Sequence, residues 1–176
     1  MNKIRKAEPK DIDAVVLIFG HIIEEEEKGN CSIGWRRDVY PTRNTAVTAL
    51  ENKDLFVMEE DGVIVAAMRL NKEQVPEYKN CQWEYPAEDD QVMVMHTLVV
   101  DPSVKQRGYG RKMVEFYEKY ARENNCPYLR IDTNMINSRA RAMYQRFGYK
   151  EIGIIPCTFN GIQDVNLVCI EKKIEL

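Results

Sequence analysis

Apolar residues recur at helical spacing in four stretches of this chain and at strand spacing in most of the remainder. Ile4 to Ala7 reads as a short strand. Pro9, Asp11 and Asp13 then supply a favourable first turn, and Ile12, Val15, Val16, Phe19, Ile22 and Ile23 share one face of a helix that Gly29 can stop. A second helix is predicted from Pro41 through Ala46, Val47 and Leu50, because proline is tolerated at the first helical position. Between the two lies a loop-like segment, Asn30 to Tyr40, with Trp35 and Arg36. Leu55 to Glu59 and Val63 to Leu70 are rich in β-formers and flank Asp61-Gly62, so they are predicted to form an antiparallel hairpin.

Asn71 to Gln91 has no periodicity, and a loop of that length is uncommon in a compact domain unless it is functional or hides a short element. Its aromatic and acidic residues, Trp83, Glu84, Tyr85, Asp89 and Asp90, could line a pocket for an amine or anchor the loop to the core. Val92 to Val100 is the most β-like stretch. Strict alternation puts Met93, Met95, Thr97 and Val99 on one face, and Val94, His96, Leu98 and Val100 on the other.

From Arg111 a helical stripe follows, Met113, Phe116, Tyr117, Tyr120 and Ala121, ending near Asn124-Asn125. Tyr128 to Asp132 is a short strand. Asn137 or Ser138 can then cap a helix bearing Ala140, Met143, Tyr144 and Phe147, with Gly148 at its end. Strand, helix, strand, helix predicts a parallel strand pair. Two more strands, about Tyr149 to Ile155 and Val165 to Lys172, have Asn160-Gly161 as a turn between them.

Composition narrows the class. With 176 residues, 44% hydrophobic and 30% charged, the chain suits a single globular domain over 1–176 with no long disordered tail. A formal charge of −3 speaks against nucleic-acid binding, which needs a basic field. The N-terminus lacks the apolar middle of a secretory signal and no run approaches membrane-spanning length, so a cytoplasmic protein without a membrane partner is expected. Cys31, Cys81, Cys126, Cys157 and Cys169 lack the paired spacing of zinc or redox motifs and read as free thiols. Glu24 to Glu27 is a run of like charge, ordinarily a solvated face, with a cationic substrate as the alternative.

The richest chemistry lies between strand and helix at Lys105-Gln106-Arg107-Gly108-Tyr109-Gly110-Arg111. A glycine turn into a helix N-terminus offers unpaired backbone N–H groups and partial positive charge to an anion. The run lacks the Gly-Lys-Ser/Thr ending of nucleotide hydrolases and the third glycine of dinucleotide folds.

Taken with Leu98-Val99-Val100-Asp101-Pro102 before it and with Asn137, Ala140, Tyr144 and Phe147-Gly148-Tyr149 after it, this turn resembles the GCN5-related N-acetyltransferases. The resemblance is strongest over about 98 to 153. One departure is Lys105, where the family usually has Arg or Gln three residues before its first motif glycine. The resemblance implies an α/β fold, a mostly antiparallel mixed sheet with a splayed parallel pair flanked by helices. It also implies acetyl-CoA as acyl donor, an amine as acceptor, and a homodimer as the expected assembly. The pyrophosphate would lie on the amides of Gln106, Arg107, Gly108, Tyr109, Gly110 and Arg111. The pantetheine would pair with the backbone of Leu98, Val99 and Val100, as in strand addition, and Asn137 would contact the cofactor arm.

Tyr144 matches the residue that protonates the leaving thiolate, although its spacing also suits a core tyrosine. His96 is the candidate base, since an imidazole titrates near neutrality and related enzymes often place Glu or His here; a satisfied core histidine is the other reading. A backbone N–H near Val99 would polarise the thioester carbonyl. Cys126 and Cys157 have no visible base beside them and are disfavoured as nucleophiles. Trp35, Trp83 and Tyr85 are the candidate acceptor-binding residues. The other class of function compatible with the motif is a CoA-binding regulatory module without transfer, which would need the glycine turn but neither His96 nor Tyr144.

Overall fold

The structure, a computed structural model, describes residues 2–104 and 108–176. Lys105, Gln106 and Arg107 of the glycine turn therefore lie outside the described residues. In chain order the elements are β1 (Asn2–Lys6), α1 (Ile12–Glu27), α2 (Arg43–Glu51), β2 (Leu55–Glu60), β3 (Val63–Asn71), β4 (Val92–Val100), α3 (Tyr109–Glu123), β5 (Tyr128–Asn134), α4 (Ser138–Arg146), β6 (Lys150–Phe159) and β7 (Ile162–Lys173).

Several elements differ from the expectation. α2 starts after Thr42 rather than at Pro41, because Thr42 is still extended and donates its N–H to Thr45 Oγ1 at 3.0 Å. The segment between β3 and β4 contains 3-10 turns at Pro76–Asn80 and Asp89–Gln91, each too short to show a hydrophobic repeat. The last hairpin extends well beyond its predicted strands. Register shifts at Glu151/Gly153 and Cys157/Phe159 break the alternation by which a strand is read, while the pairing continues.

The strands form one sheet in the order β1-β2-β3-β4-β5-β7-β6, antiparallel throughout except for the parallel pair β4-β5. The mixed α/β architecture with one parallel pair is as the sequence predicts. Met93, Met95, Leu129 and Ile131 bury one face against Met113, Val114 and Tyr117 of α3 and Tyr144 of α4. Val57, Ala67 and Val99 bury the other face against Val15, Ile18 and Phe19 of α1 and Ala46 and Ala49 of α2. Among the described residues no helix is long and apolar enough to cross a membrane.

The parallel pair parts company halfway along. Val92 to Met95 lie beside Tyr128 to Ile131, yet β4 runs on to Val100 and β5 to Asn134 without pairing. The cause lies in β4. Arg69 of β3 faces His96 while Ala67 faces Val99, so three steps on β4 match two on β3, and Thr97 takes the left-handed φ of +52°. A β-branched residue there is an outlier that only its surroundings can hold. The extra residue bends the strand and reverses its faces. Leu98 and Val100 join Met93 and Met95 in the α3 layer, and Val99 packs with α1. The strict alternation expected from sequence therefore fails past Met95.

Tyr117 clamps the closed part of the pair. Its buried hydroxyl lies 2.7 Å from Met93 O and 3.2 Å from Arg130 O, one carbonyl from each parallel strand. Tyr117→Phe leaves both carbonyls without this donor and is expected to cost about 1–3 kcal/mol, read from urea unfolding.

Candidate active site

The gap between β4 and β5 opens toward the N-terminus of α3. Gly108 caps that helix at φ +69°, a conformation any side chain would strain, and Lys112 N–H donates to Gly108 O at 3.1 Å. The amides of Gly110 and Arg111 belong to the first turn, which carries the partial positive charge of the helix. A β-carbon on Gly110 would meet Met143 Sδ at 3.4 Å and Val100 Cγ2 at 3.9 Å, ordinary contacts that place this turn against α4 and β4. Tyr109 turns its ring into the core and its hydroxyl donates to Glu60, which leaves only its backbone on the ligand side. The Arg111 side chain is exposed and paired with Glu115.

Along β4, Leu98, Val99 and Val100 have β3 on one side and, among the described residues, no strand on the other. Asn137 is the N-cap of α4, its Oδ1 accepting Ala140 N–H at 3.2 Å, and Arg141 ties the helix to Glu151 of β6 at 2.7 and 2.9 Å. These contacts aim Tyr144. Its ring meets Tyr149 edge-on at 5.9 Å, and its hydroxyl has no hydrogen-bond partner among the described residues. Burial, followed by the charge of Asp132, raises the Tyr144 pKa well above the ordinary tyrosine range.

His96 lies on the opposite face of β4, across from Arg69. Its Nε2 is 2.9 Å from Asn71 Oδ1, so Nε2 carries a proton and donates there. Burial, then the Arg69 guanidinium, push its pKa down to about 3. The imidazole stays uncharged at neutral pH and holds a proton poorly.

The loop after α1 covers this side of the gap. The Tyr40 hydroxyl hydrogen-bonds Thr97 Oγ1 at the bulge, and Trp35 packs edge-on against Tyr40 at 5.9 Å and against Ile162, Val165 and Leu167. The acidic run holds the loop in place: Glu26 accepts the N–H groups of Ile33 and Gly34 at 2.6 and 2.9 Å, Glu27 pairs with Arg37, and Glu24 with Lys28. Gly34 passes so close to the end of β5 that a β-carbon would lie 2.4 Å from Asn134 Nδ2. Of the three candidate acceptor aromatics, Trp35 alone is thus brought beside the gap.

Trp83 and Tyr85 are placed elsewhere. The Trp83 indole donates to Tyr78 O at 3.1 Å beneath the Arg130 guanidinium, and Tyr85 stacks on Tyr128 at the closed end of β5. They anchor their segment to the sheet. What the segment offers the gap is Tyr78, whose hydroxyl donates to Asp132 Oδ2 at 2.7 Å. Neither residue stands out in the sequence; the only signal is a carboxylate at the end of an apolar strand. Burial pushes the Asp132 pKa up to about 6.

An open seam between parallel strands beside a glycine-capped helix matches the architecture of the GNAT acetyltransferases. The chain belongs to the acetyltransferase (GNAT) family, whose sequence profile matches residues 21–149. It is similar to an uncharacterized N-acetyltransferase, YhfO of Bacillus subtilis (strain 168), with 22% identity over 150 residues, 84% of this chain and 89% of that one. In three dimensions it is similar to a GNAT family acetyltransferase of Streptococcus agalactiae 2603, with a TM-score of 0.82 and 22% identity over 99% of this chain and 96% of that one. It is also similar to yncA of Salmonella typhimurium, solved with its cofactor acetyl-CoA, with a TM-score of 0.72 and 15% identity over 100% of this chain and 95% of that one.

Proposed function

We propose that this protein transfers the acetyl group of acetyl-CoA directly to a primary amine of a small molecule or peptide. The observation that carries the reading is the seam beyond Met95 and Ile131, bounded by the first turn of α3 and by the unpartnered Tyr144 hydroxyl. Acetyl-CoA bound to yncA, which shares the fold, supports the choice of donor. The pyrophosphate sits on the amides of the glycine turn where it enters α3, at Gly108 to Arg111; Gln106 and Arg107, expected to share in this, lie outside the described residues. The pantetheine takes the place of the missing strand beside Leu98, Val99 and Val100, where main-chain hydrogen bonds give affinity without specific side chains. A backbone N–H near Val99 meets the thioester oxygen, and Tyr144 gives its proton to the departing sulfur. The acceptor enters from the side of Trp35 and Tyr40.

Two measurements test this. Acetyl-CoA at about a hundred times its Kd is expected to add about 2.7 kcal/mol of stability, seen as a raised Tm. Acetyl-CoA consumption is then screened against polyamines, amino acids, aminoglycosides and peptides. Thermal protection without transfer to any amine would reduce the protein to a CoA-binding module.

A further inference from the structure

Direct acetylation requires a group that takes a proton from the acceptor ammonium, and on that reading of the function we propose that Asp132 is this group. Asp132 follows Ile131, the last residue of β5 paired with β4, so it has Cys169 of β7 on one side and the open seam on the other. Ile131 belongs to the α3 layer, and strand alternation turns Asp132 to the opposite face, where Tyr78 meets it. It stands beside the unpaired stretch of β4 and keeps part of its surface open to solvent. Oδ2 accepts the Tyr78 hydroxyl, and no donor among the described residues engages Oδ1. One carboxylate oxygen is fixed by Tyr78, and among the described residues the other is left without a donor.

The titratable neighbours come from every side: Glu77 and Tyr78 from the 3-10 turn, Tyr40 from the loop after α1, Tyr144 from α4, Cys157 from β6 and Cys169 from β7. Burial is the main reason the Asp132 carboxyl titrates near 6; the Tyr78 hydrogen bond opposes the shift and the charge of Glu77 adds to it. Such a group is ionised at pH 7 and still able to hold a proton, as a general base must be. His96 fails on the second count, since an imidazolium would be buried beside Arg69. Asp132 also raises the pKa of both Tyr40 and Tyr144, so its charge is felt on both faces of the seam.

The step balances. The ammonium gives one proton to Asp132, and the nitrogen lone pair attacks the thioester carbonyl carbon. As the C–N bond forms and the C–S bond breaks, the sulfur keeps the bonding pair and takes the Tyr144 proton. A second proton leaves the nitrogen and restores Tyr144 through water, one N–H remains in the amide, and Asp132 releases its proton to solvent. Glu77, with no ion-pair partner among the described residues, adds a second negative charge that favours a cationic acceptor.

The test uses the full chain with the panel amine of highest turnover. Wild-type kcat/KM is expected to rise with pH along a limb centred near 6. Asp132→Asn keeps the shape and a Tyr78 partner, and is expected to lose that limb and about 10²–10⁴-fold in rate, with thermal protection by acetyl-CoA retained. Tyr78→Phe removes the donor that stabilises the anion, so the limb should move to higher pH. An Asp132→Asn enzyme with the wild-type rate and limb, or loss of the limb in His96→Gln instead, overturns the assignment while transfer itself stands. If the wild-type protein acetylates no amine in the panel, the transfer reading fails, and with it the role of Asp132.

Discussion

Tyr144→Phe is expected to lower kcat by about 10²–10⁴-fold while leaving thermal protection by acetyl-CoA unchanged. The substitution removes one oxygen and keeps the ring on Tyr149, so packing and the donor site both persist. What is lost is the proton for the leaving thiolate. An ordinary thiol titrates near about 8.5, so an unassisted thiolate can leave, but slowly. Burial and Asp132 hold the Tyr144 phenol protonated beyond the usual tyrosine range. The alkaline fall in activity should accordingly lie above about pH 10, the ordinary tyrosine value. A Phe variant with wild-type kcat would return Tyr144 to the core.

The second large effect concerns stability. Arg130→Met is expected to cost about 3–5 kcal/mol in urea unfolding, because it leaves Glu171 buried without its cation. Arg130 Nε and Glu171 Oε1 are 3.7 Å apart, and both side chains are almost wholly buried. The same guanidinium donates to Gln74 Oε1 and Tyr85 O and covers Trp83, while Glu171 Oε2 accepts Glu84 N–H at 2.9 Å. The pair therefore pins the segment that delivers Tyr78. Adding Glu171→Gln should recover part of the loss, since the stranded charge goes with it. The pH dependence has a definite sign. Burial already raises the Glu171 pKa, and losing Arg130 raises it further. The folded state of the variant then binds more protons than the unfolded one in the mildly acidic range, so its stability falls as pH rises through that window. The deficit should be smaller at pH 5 than at pH 8.

Much of the fold was legible because its periods are regular. The helices announced by Ile12 to Ile23 and by Met113 to Ala121, and the parallel pair, are where the pattern puts them. Legibility fails where one residue breaks a period. Alternation cannot register the extra step at Thr97, so it puts Leu98, Val99 and Val100 on the wrong faces. At the proposed site, the glycine turn and Tyr144 are visible because their spacing is local. Asp132 is not, since it matters only through Tyr78, 54 residues away, and through a strand that fails to pair with it. Trp83 and Tyr85 mislead for the opposite reason. Aromatics in an irregular segment look the same in sequence whether they greet a ligand or hold the segment down, and Arg130 and Tyr128 decide the matter.

Thr97 also bears on how such a site can arise or vanish. β4 has one residue more than its ladder with β3 requires, and that surplus keeps β5 from zipping closed along its whole length. On the proposed function, deleting that one residue is expected to let β5 pair further along β4 and to narrow the groove the donor would enter. The transfer proposed for this chain rests on a miscount of one, kept open against the sheet's own tendency to complete itself.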